Sequence, residues 1–313
     1  MDIIDLHCDT LYRAVTEDKS LDSDEMEVRL NDDPGFRKLQ CYAIWIPDDC
    51  TGEEAEQLWT EASDRIAKEC RVHRIALIKP GERAADAFFR NRNSAFFTVE
   101  NGKALNGKIS NVAKFASEGV RMMTLTWNAH NEIGDGVMAD DPSGITDFGK
   151  QVVREMERHH IIVDISHASP ALFDDVAAIA KRPFVASHSN SFSVTGHPRN
   201  LTDEQFGVIR DRGGLVGVNF HNAFLNDAPE KASLNDIIRH TDHFLSIGGE
   251  DIICFGSDFD GGVLPQDFQD SRVYDKLYEV FLQNRYKERT IRKIFYENAL
   301  NFFENFDNPQ NMV

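Results

Sequence analysis

Residues 161–170 read IIVDISHASP. The run Ile161 to Ile165 is apolar and β-branched, His167 is the first strongly polar side chain at its end, and Ser169 and Pro170 stand as N-cap and first-turn proline of a helix over 170–180. An apolar run without polar alternation marks a strand buried on both faces, as in a parallel sheet covered by helices. Seven similar runs occur along the chain: Ile3 to Leu6, Leu39 to Ile46, Ala95 to Val99, Val120 to Leu125, Phe184 to Ser187, Leu215 to Asn219 and Ile252 to Gly256. Helical spacing fills the intervals at 53–72, 109–118, 146–159, 202–212, 233–247 and 271–284, with closing helical turns from Glu288 to Phe303. Eight strands alternating with helices predict an α/β fold of the (β/α)8 TIM-barrel type, with an open doubly wound sheet as the alternative. IALIK at 75–79 reads as an extra strand or a helix start. Without linker, repeat or low-complexity stretch, residues 1–313 are expected to form a single barrel domain that ends in C-terminal helices.

The chain carries 34 Lys+Arg against 52 Asp+Glu, a formal net charge of −18, and no basic run. That balance excludes a nucleic-acid surface, which needs clustered cations to release counterions, and gives no support to an anionic membrane partner. A hydrophobic fraction of 41% with 22 Phe supplies a large core and excludes disorder. The five cysteines include no CxxC pair and read as reduced thiols. With neither a signal-peptide pattern nor a lipid-anchor tail legible, a cytoplasmic protein without a membrane anchor is expected.

Barrel enzymes carry their chemistry at the C-terminal ends of the strands. Here those ends hold His7 and Asp9, then Glu100, then Trp127, Asn128 and His130, then His167, His188, and finally Asp258 and Asp260. His73, His159, His160, His240 and His243 fall in helices and read as surface or helix-end residues. His7 and Asp9 are two apart, so an extended strand would turn both to one face. Three imidazoles and two carboxylates without thiolate suit zinc or a similar divalent ion, and five ligands are too many for one catalytic centre with an open position. Two ions fit better, with His7 and Asp9 on one, His167 and His188 on the other, Glu100 bridging and a shared water as nucleophile. Asp258, in CFGSDFDGG, reads as the proton shuttle and Asp260 as a loop-holding acid. Arg199, in a loop with His197, is the candidate for a substrate carboxylate.

The pieces DLHCDT, TVENG, RMMTLTWN, VDISHAS, ASHSN, HPRNLTDEQ and GSDFDG, spread from residue 5 to residue 261, resemble the membrane dipeptidase (renal dipeptidase) family of dizinc metallopeptidases in family order. The resemblance implies a barrel that hydrolyses dipeptides, including those with a C-terminal D-residue, and assembles as a homodimer. By position it implies the same ligand set, with two zinc ions bridged by Glu100, a bridging hydroxide as nucleophile, Asp258 as proton-shuttling acid and Arg199 near the substrate. One position departs: best-known members carry a histidine after the LT of the fourth strand, where this chain has Trp127. His130, three residues on, is expected to reach in from the loop, or the Trp127 indole to donate in its place. Losing one such donor costs about 2.7 to 4 kcal/mol of transition-state stabilisation.

Two other readings stand beside the dipeptidase. An amidohydrolase-like enzyme acting on another small or cyclic amide would ordinarily begin with HxH, where this chain has HCD. A catalytically impaired metal-bound binding protein would have no need of Asp258.

Overall fold

The apolar runs pair side by side. In a computed structural model, which describes residues 1–30 and 36–307, nine strands lie parallel: β1 (Ile3–Cys8), β2 (Lys38–Trp45), β3 (Ala76–Leu77), β4 (Asn93–Glu100), β5 (Val120–Thr124), β6 (Ile162–Asp164), β7 (Val185–Ala186), β8 (Leu215–Val218) and β9 (Ile253–Phe255). Hydrogen bonding runs β1–β2–β4–β5–β6–β7–β8–β9 and returns to β1 through Asp5 and Phe255, so eight strands close into a barrel. This is the (β/α)8 barrel expected from the eight runs, and closure removes the alternative of an open sheet. The 75–79 segment supplies β3, which pairs with Ser94 and Ala95 of β4, while β5 takes over the pairing of β4 from Phe97 onward. The ninth strand therefore lies outside the ring.

Two apolar layers hold the barrel. Inside it, Ile4, Leu6, Leu39, Phe96, Met122, Ile162, Val185 and Leu215 form one buried cluster, and Leu300, Phe303 and Phe306 of the last helix (Asn298–Phe306) plug that cluster from the N-terminal end of the strands. Outside it, helices cover the strands, as where Trp59 stacks on Phe97 and Phe115 at centroid distances of 4.8 and 3.9 Å. The helices start where expected: Ser169 accepts from the Leu172 N–H at 3.1 Å, and Thr202 forms a reciprocal cap with Gln205. Short helices Thr10–Thr16 and Ala84–Arg90 were not legible, since seven residues give too few turns to establish a period.

Among the described residues no helix is long and apolar enough to cross a membrane. All five cysteines are unpaired, four of them buried. His240 corrects the surface or helix-end reading given to the helical histidines. It is fully buried, its Nδ1 accepting from the Ser191 N–H and its Nε2 donating to the Leu225 carbonyl, each at 3.1 Å.

Candidate metal centre

At the C-terminal ends of the strands, backbone irregularity aims the polar side chains inward. The β1–β2 register shifts between Asp5 and Cys8, which re-aims His7 into the barrel mouth. Asp9 is not in the strand: β1 ends at Cys8, and Asp9 caps the helix that follows. The two side chains still meet, His7 Nε2 lying 3.4 Å from Asp9 Oδ2, but the turn brings them together and not strand alternation. His167 and Asp258 adopt left-handed backbone at φ 66° and 65°. Such strain in non-glycine residues persists where the surroundings over-determine it and is common at functional sites.

His7, Asp9, Glu100, His167, His188 and Asp258 are all buried and converge. Ligand atoms of His7, Asp9 and Glu100 lie within 4.8 Å of one another, as do those of Glu100, His167 and His188, and those of His7, His188 and Asp258. Glu100 spans the first two groups: its Oε2 is 3.6 Å from His7 Nε2, and its Oε1 is 2.9 Å from His167 Nε2 and 3.5 Å from His188 Nε2. The His7 and His188 rings stack at 3.9 Å.

Hydrogen bonds behind the cluster set the tautomers. Asp164 accepts from Ser187 Oγ at 2.5 Å, so Ser187 Oγ in turn accepts from His188 Nδ1 at 2.7 Å. Asn128 Oδ1 accepts from His167 Nδ1 at 2.9 Å. Both rings therefore present an Nε2 lone pair, and these two lone pairs face each other and the Glu100 carboxylate. Acceptors converging without a donor repel unless a cation sits among them. On the other side, His7 Nε2 and Asp9 Oδ1 are buried without hydrogen-bond partners among the described residues, a costly state that ligation would relieve. These residues fit a two-ion centre with Glu100 common to both halves.

Electrostatics agree. Burial, followed by the adjacent Arg199 for His167 and by His7 for His188, holds both imidazoles well below the ordinary range, so each is neutral and able to ligate. Burial would lower His7 too, yet Glu100, Asp9 and Asp258 raise it to about 10. Burial and the neighbouring Asp9 push Glu100 well above the usual carboxylate range, and burial raises Asp9. The site thus gathers carboxylates that burial and mutual repulsion disfavour in their charged form, beside two neutral imidazoles.

Above the cluster opens a cavity of about 420 Å³ that reaches Asp9, Glu100, His167, Arg199 and Asp258. Asp258 Oδ2 accepts from Asn219 Nδ2 at 3.0 Å, while Oδ1 is 3.7 Å from His7 Nε2. Arg199 is buried, donates to the His188 carbonyl at 3.3 Å and lies 5.4 Å over the Phe224 ring, with Nε unpartnered. Burial lowers it to about 10, which leaves a cation facing the cavity at neutral pH.

The model of the membrane dipeptidase family, peptidase family M19, matches residues 1–312. The chain belongs to that family. It is 32% identical over 266 residues to the uncharacterized protein in the pqqA 5′ region of Klebsiella pneumoniae, covering 81% of this chain and 97% of that one. It is similar, at 25% identity and a TM-score of 0.90, to a Rhodobacter sphaeroides metallo peptidase liganded with a phosphinate mimic of the dipeptide L-Ala-D-Ala, with 97% and 99% of the chains covered. It is likewise similar to dipeptidase AC, a metallo peptidase of family M19, at 27% identity and a TM-score of 0.90, with 97% and 98% covered. The protein is a metal-dependent dipeptidase, a hydrolase of this M19 family.

One expected contact of this M19 chain is not made. His130 is exposed, its Nδ1 bonded to Asp135 Oδ1 at 2.6 Å, and it does not line the cavity. Asp135, held by the Ser143 and Gly144 N–H groups, draws the ring away from the mouth. Trp127 does line the cavity, as do Tyr12, Trp45, His221 and Phe224, which pattern reading missed. Trp45 ends β2 in register with Glu100 of β4, a placement that the strand pairing reveals and the sequence does not. Asp260 has the structural role expected of it, accepting from Thr10 Oγ1 at 2.5 Å and Arg13 Nη1 at 2.6 Å.

Proposed function

We propose that this protein is a dizinc dipeptidase in which His7 and Asp9 hold one ion, His167 and His188 the other, and Glu100 bridges them. The observation that carries the reading is the convergence of the outward-facing Nε2 atoms of His167 and His188 on Glu100, beside the unpartnered His7 Nε2 and Asp9 Oδ1. Nitrogen and oxygen donors without thiolate favour zinc among the divalent ions. Two bound ions would polarise a scissile carbonyl and acidify a water for attack on it.

The protein's own groups account for orientation and proton transfer. Arg199 binds the substrate carboxylate, its buried guanidinium bonded to the His188 carbonyl and its Nε without a hydrogen-bond partner among the described residues. Asp258 is anchored through Oδ2 by Asn219, which leaves Oδ1 to take the proton of the attacking water and pass it to the departing amine. Trp127 forms part of the substrate wall. The ligand of the Rhodobacter sphaeroides neighbour supports dipeptides with a C-terminal D-residue as substrates. Homodimer assembly and a cytoplasmic location belong to the same reading, the second supported by five unpaired cysteines.

The deciding measurement is metal content together with turnover on dipeptides of both C-terminal configurations. Two zinc ions per chain and hydrolysis that includes X-D-Ala are expected, and Glu100→Gln is expected to remove both metal and turnover. Full turnover with metal stripped would overturn the proposal.

A further inference from the structure

We propose that the aromatic corner made by Tyr12, Trp45 and Trp127 receives the side chain of a dipeptide's N-terminal residue and selects large apolar or aromatic ones. The inference rests on the reading that Arg199 binds the substrate carboxylate.

Barrel order supplies the direction. Around the ring β1–β2–β4–β5–β6–β7–β8–β9, the strands β2 and β7 stand four places apart, on opposite sides of the mouth. Arg199 follows β7 and Trp45 ends β2, and both line the same cavity. A short peptide held by its carboxylate at Arg199, with its amide over Glu100, extends its first residue toward Trp45. Trp45 is the register partner of Glu100, so the two residues stand side by side at the ends of neighbouring strands.

The corner is rigid and apolar. Tyr12 meets Trp45 edge-on at 5.0 Å and 73°, and Trp45 meets Trp127 at 4.8 Å and 65°, so the middle indole is held from both sides. Among the described residues the charged groups around it are engaged elsewhere, save at the outer rim. Arg13, the cation on that side of the cavity, is engaged by Asp260 at 2.6 Å and Glu17 at 2.8 Å. Asp9, Glu100 and Asp258 converge on His7, Asp48 accepts from the Ala129 N–H and from Asn101 Nδ2, and the exposed Asp49 acts on Tyr12 through its charge. The Trp45 Nε1 atom is buried without a hydrogen-bond partner among the described residues. A charged side chain would lose its hydration here without compensation, whereas a large apolar one gains burial, a difference on the order of 10- to 200-fold in kcat/KM for small changes in apolar size.

The test compares kcat/KM of the zinc-loaded protein on X-D-Ala, with X as Phe, Leu, Ala, Lys or Asp, and on the C-terminal amide of the best substrate. Phe and Leu are expected to exceed Ala, Lys and Asp at least tenfold, and the Phe-to-Ala ratio to fall at least fivefold in Trp127→Ala and Trp45→Phe, with metal content and Tm retained. A preference for Lys or Asp, or a ratio that survives both substitutions, overturns the corner and leaves the Arg199 reading standing. Equal turnover of acid and amide overturns the Arg199 reading and the corner with it. No turnover of any dipeptide overturns the dipeptidase reading itself.

Discussion

His167 and His188 present their Nε2 atoms to each other at 3.0 Å, and each ring is fixed in that pose by a bond from its other nitrogen, to Asn128 and Ser187. Ser187 is itself held by Asp164, which also accepts from Thr124 Oγ1 at 2.7 Å. The supporting groups never touch an ion but decide which nitrogen carries the proton. Removing one of them frees the ring to flip and lowers ligand basicity, a loss of about 10- to 100-fold in metal affinity. Ser187→Ala and Asn128→Ala are each expected to show that loss in chelator competition, with the fold retained by circular dichroism. Unchanged affinity in both would mean that the ring poses are held by packing alone.

Gly261 tests the geometry of the other half. A Cβ on this residue would stand 1.9 Å from Asp9 Oδ2 and 3.0 Å from Asp258 Oδ1, so the backbone passes where no side chain fits. The clash is with the ends of side chains, which can move aside, and so Gly261→Ala is expected to displace Asp9 and reduce metal occupancy while Tm falls little. Gly256 is the contrast: its Cβ would stand 1.8 Å from the Ser187 backbone carbonyl, which cannot move without opening the barrel. Gly256→Ala is expected to be severely destabilising. Thermal unfolding and metal analysis of the two variants separate these outcomes.

The legible parts of the molecule are those in which one residue type has one job. Buried parallel strands are continuous apolar runs, so all eight barrel strands were visible, and His7, Glu100, His167, His188 and Asp258 stood out as polar residues where apolar runs end. Legibility fails where position depends on backbone detail. Asp9 joins His7 by a turn, and His130 is turned outward by Asp135, a partner five residues away that has no signature of its own. His240 looks like any helical histidine until Ser191 and Leu225 are seen closing over it. Trp45 and Tyr12 lie in an apolar strand and a short helix, where an aromatic residue reads as core.

The barrel floor has one charge that nothing in the sequence marked. Arg121 is wholly buried, its guanidinium 5.1 Å from the Phe96 ring and paired with Asp307 at 2.6 and 3.2 Å. Asp307 directly follows the helix that plugs the barrel, so the ion pair ties that plug to β5. Removing one partner of a buried pair leaves an uncompensated charge and costs about 3 to 5 kcal/mol. Asp307→Ala is expected to lose that much in urea unfolding, and Arg121→Met in the same chain to restore a large share of it. A loss below about 1 kcal/mol, as for an exposed pair, would show that solvent reaches Arg121.

His240 gives the fold a pH dependence of defined sign. Burial lowers its pKa to about 4, and a proton on Nδ1 would displace the Ser191 N–H. The unfolded chain takes up that proton near the ordinary value of 6.5 and the folded chain only near 4. Between those values the unfolded state binds more protons, so this residue makes stability fall as the pH drops from 6.5 to 4, by about 3 kcal/mol in full. Above pH 6.5 it is neutral in both states and contributes no slope. Urea unfolding of chelator-treated protein at pH 5 and pH 7, where metal release plays no part, is expected to show a larger drop for the wild type than for His240→Gln. His240→Gln has no group to titrate there, so equal drops would mean that the buried imidazole is protonated in place and that the Ser191 contact opens to accommodate it.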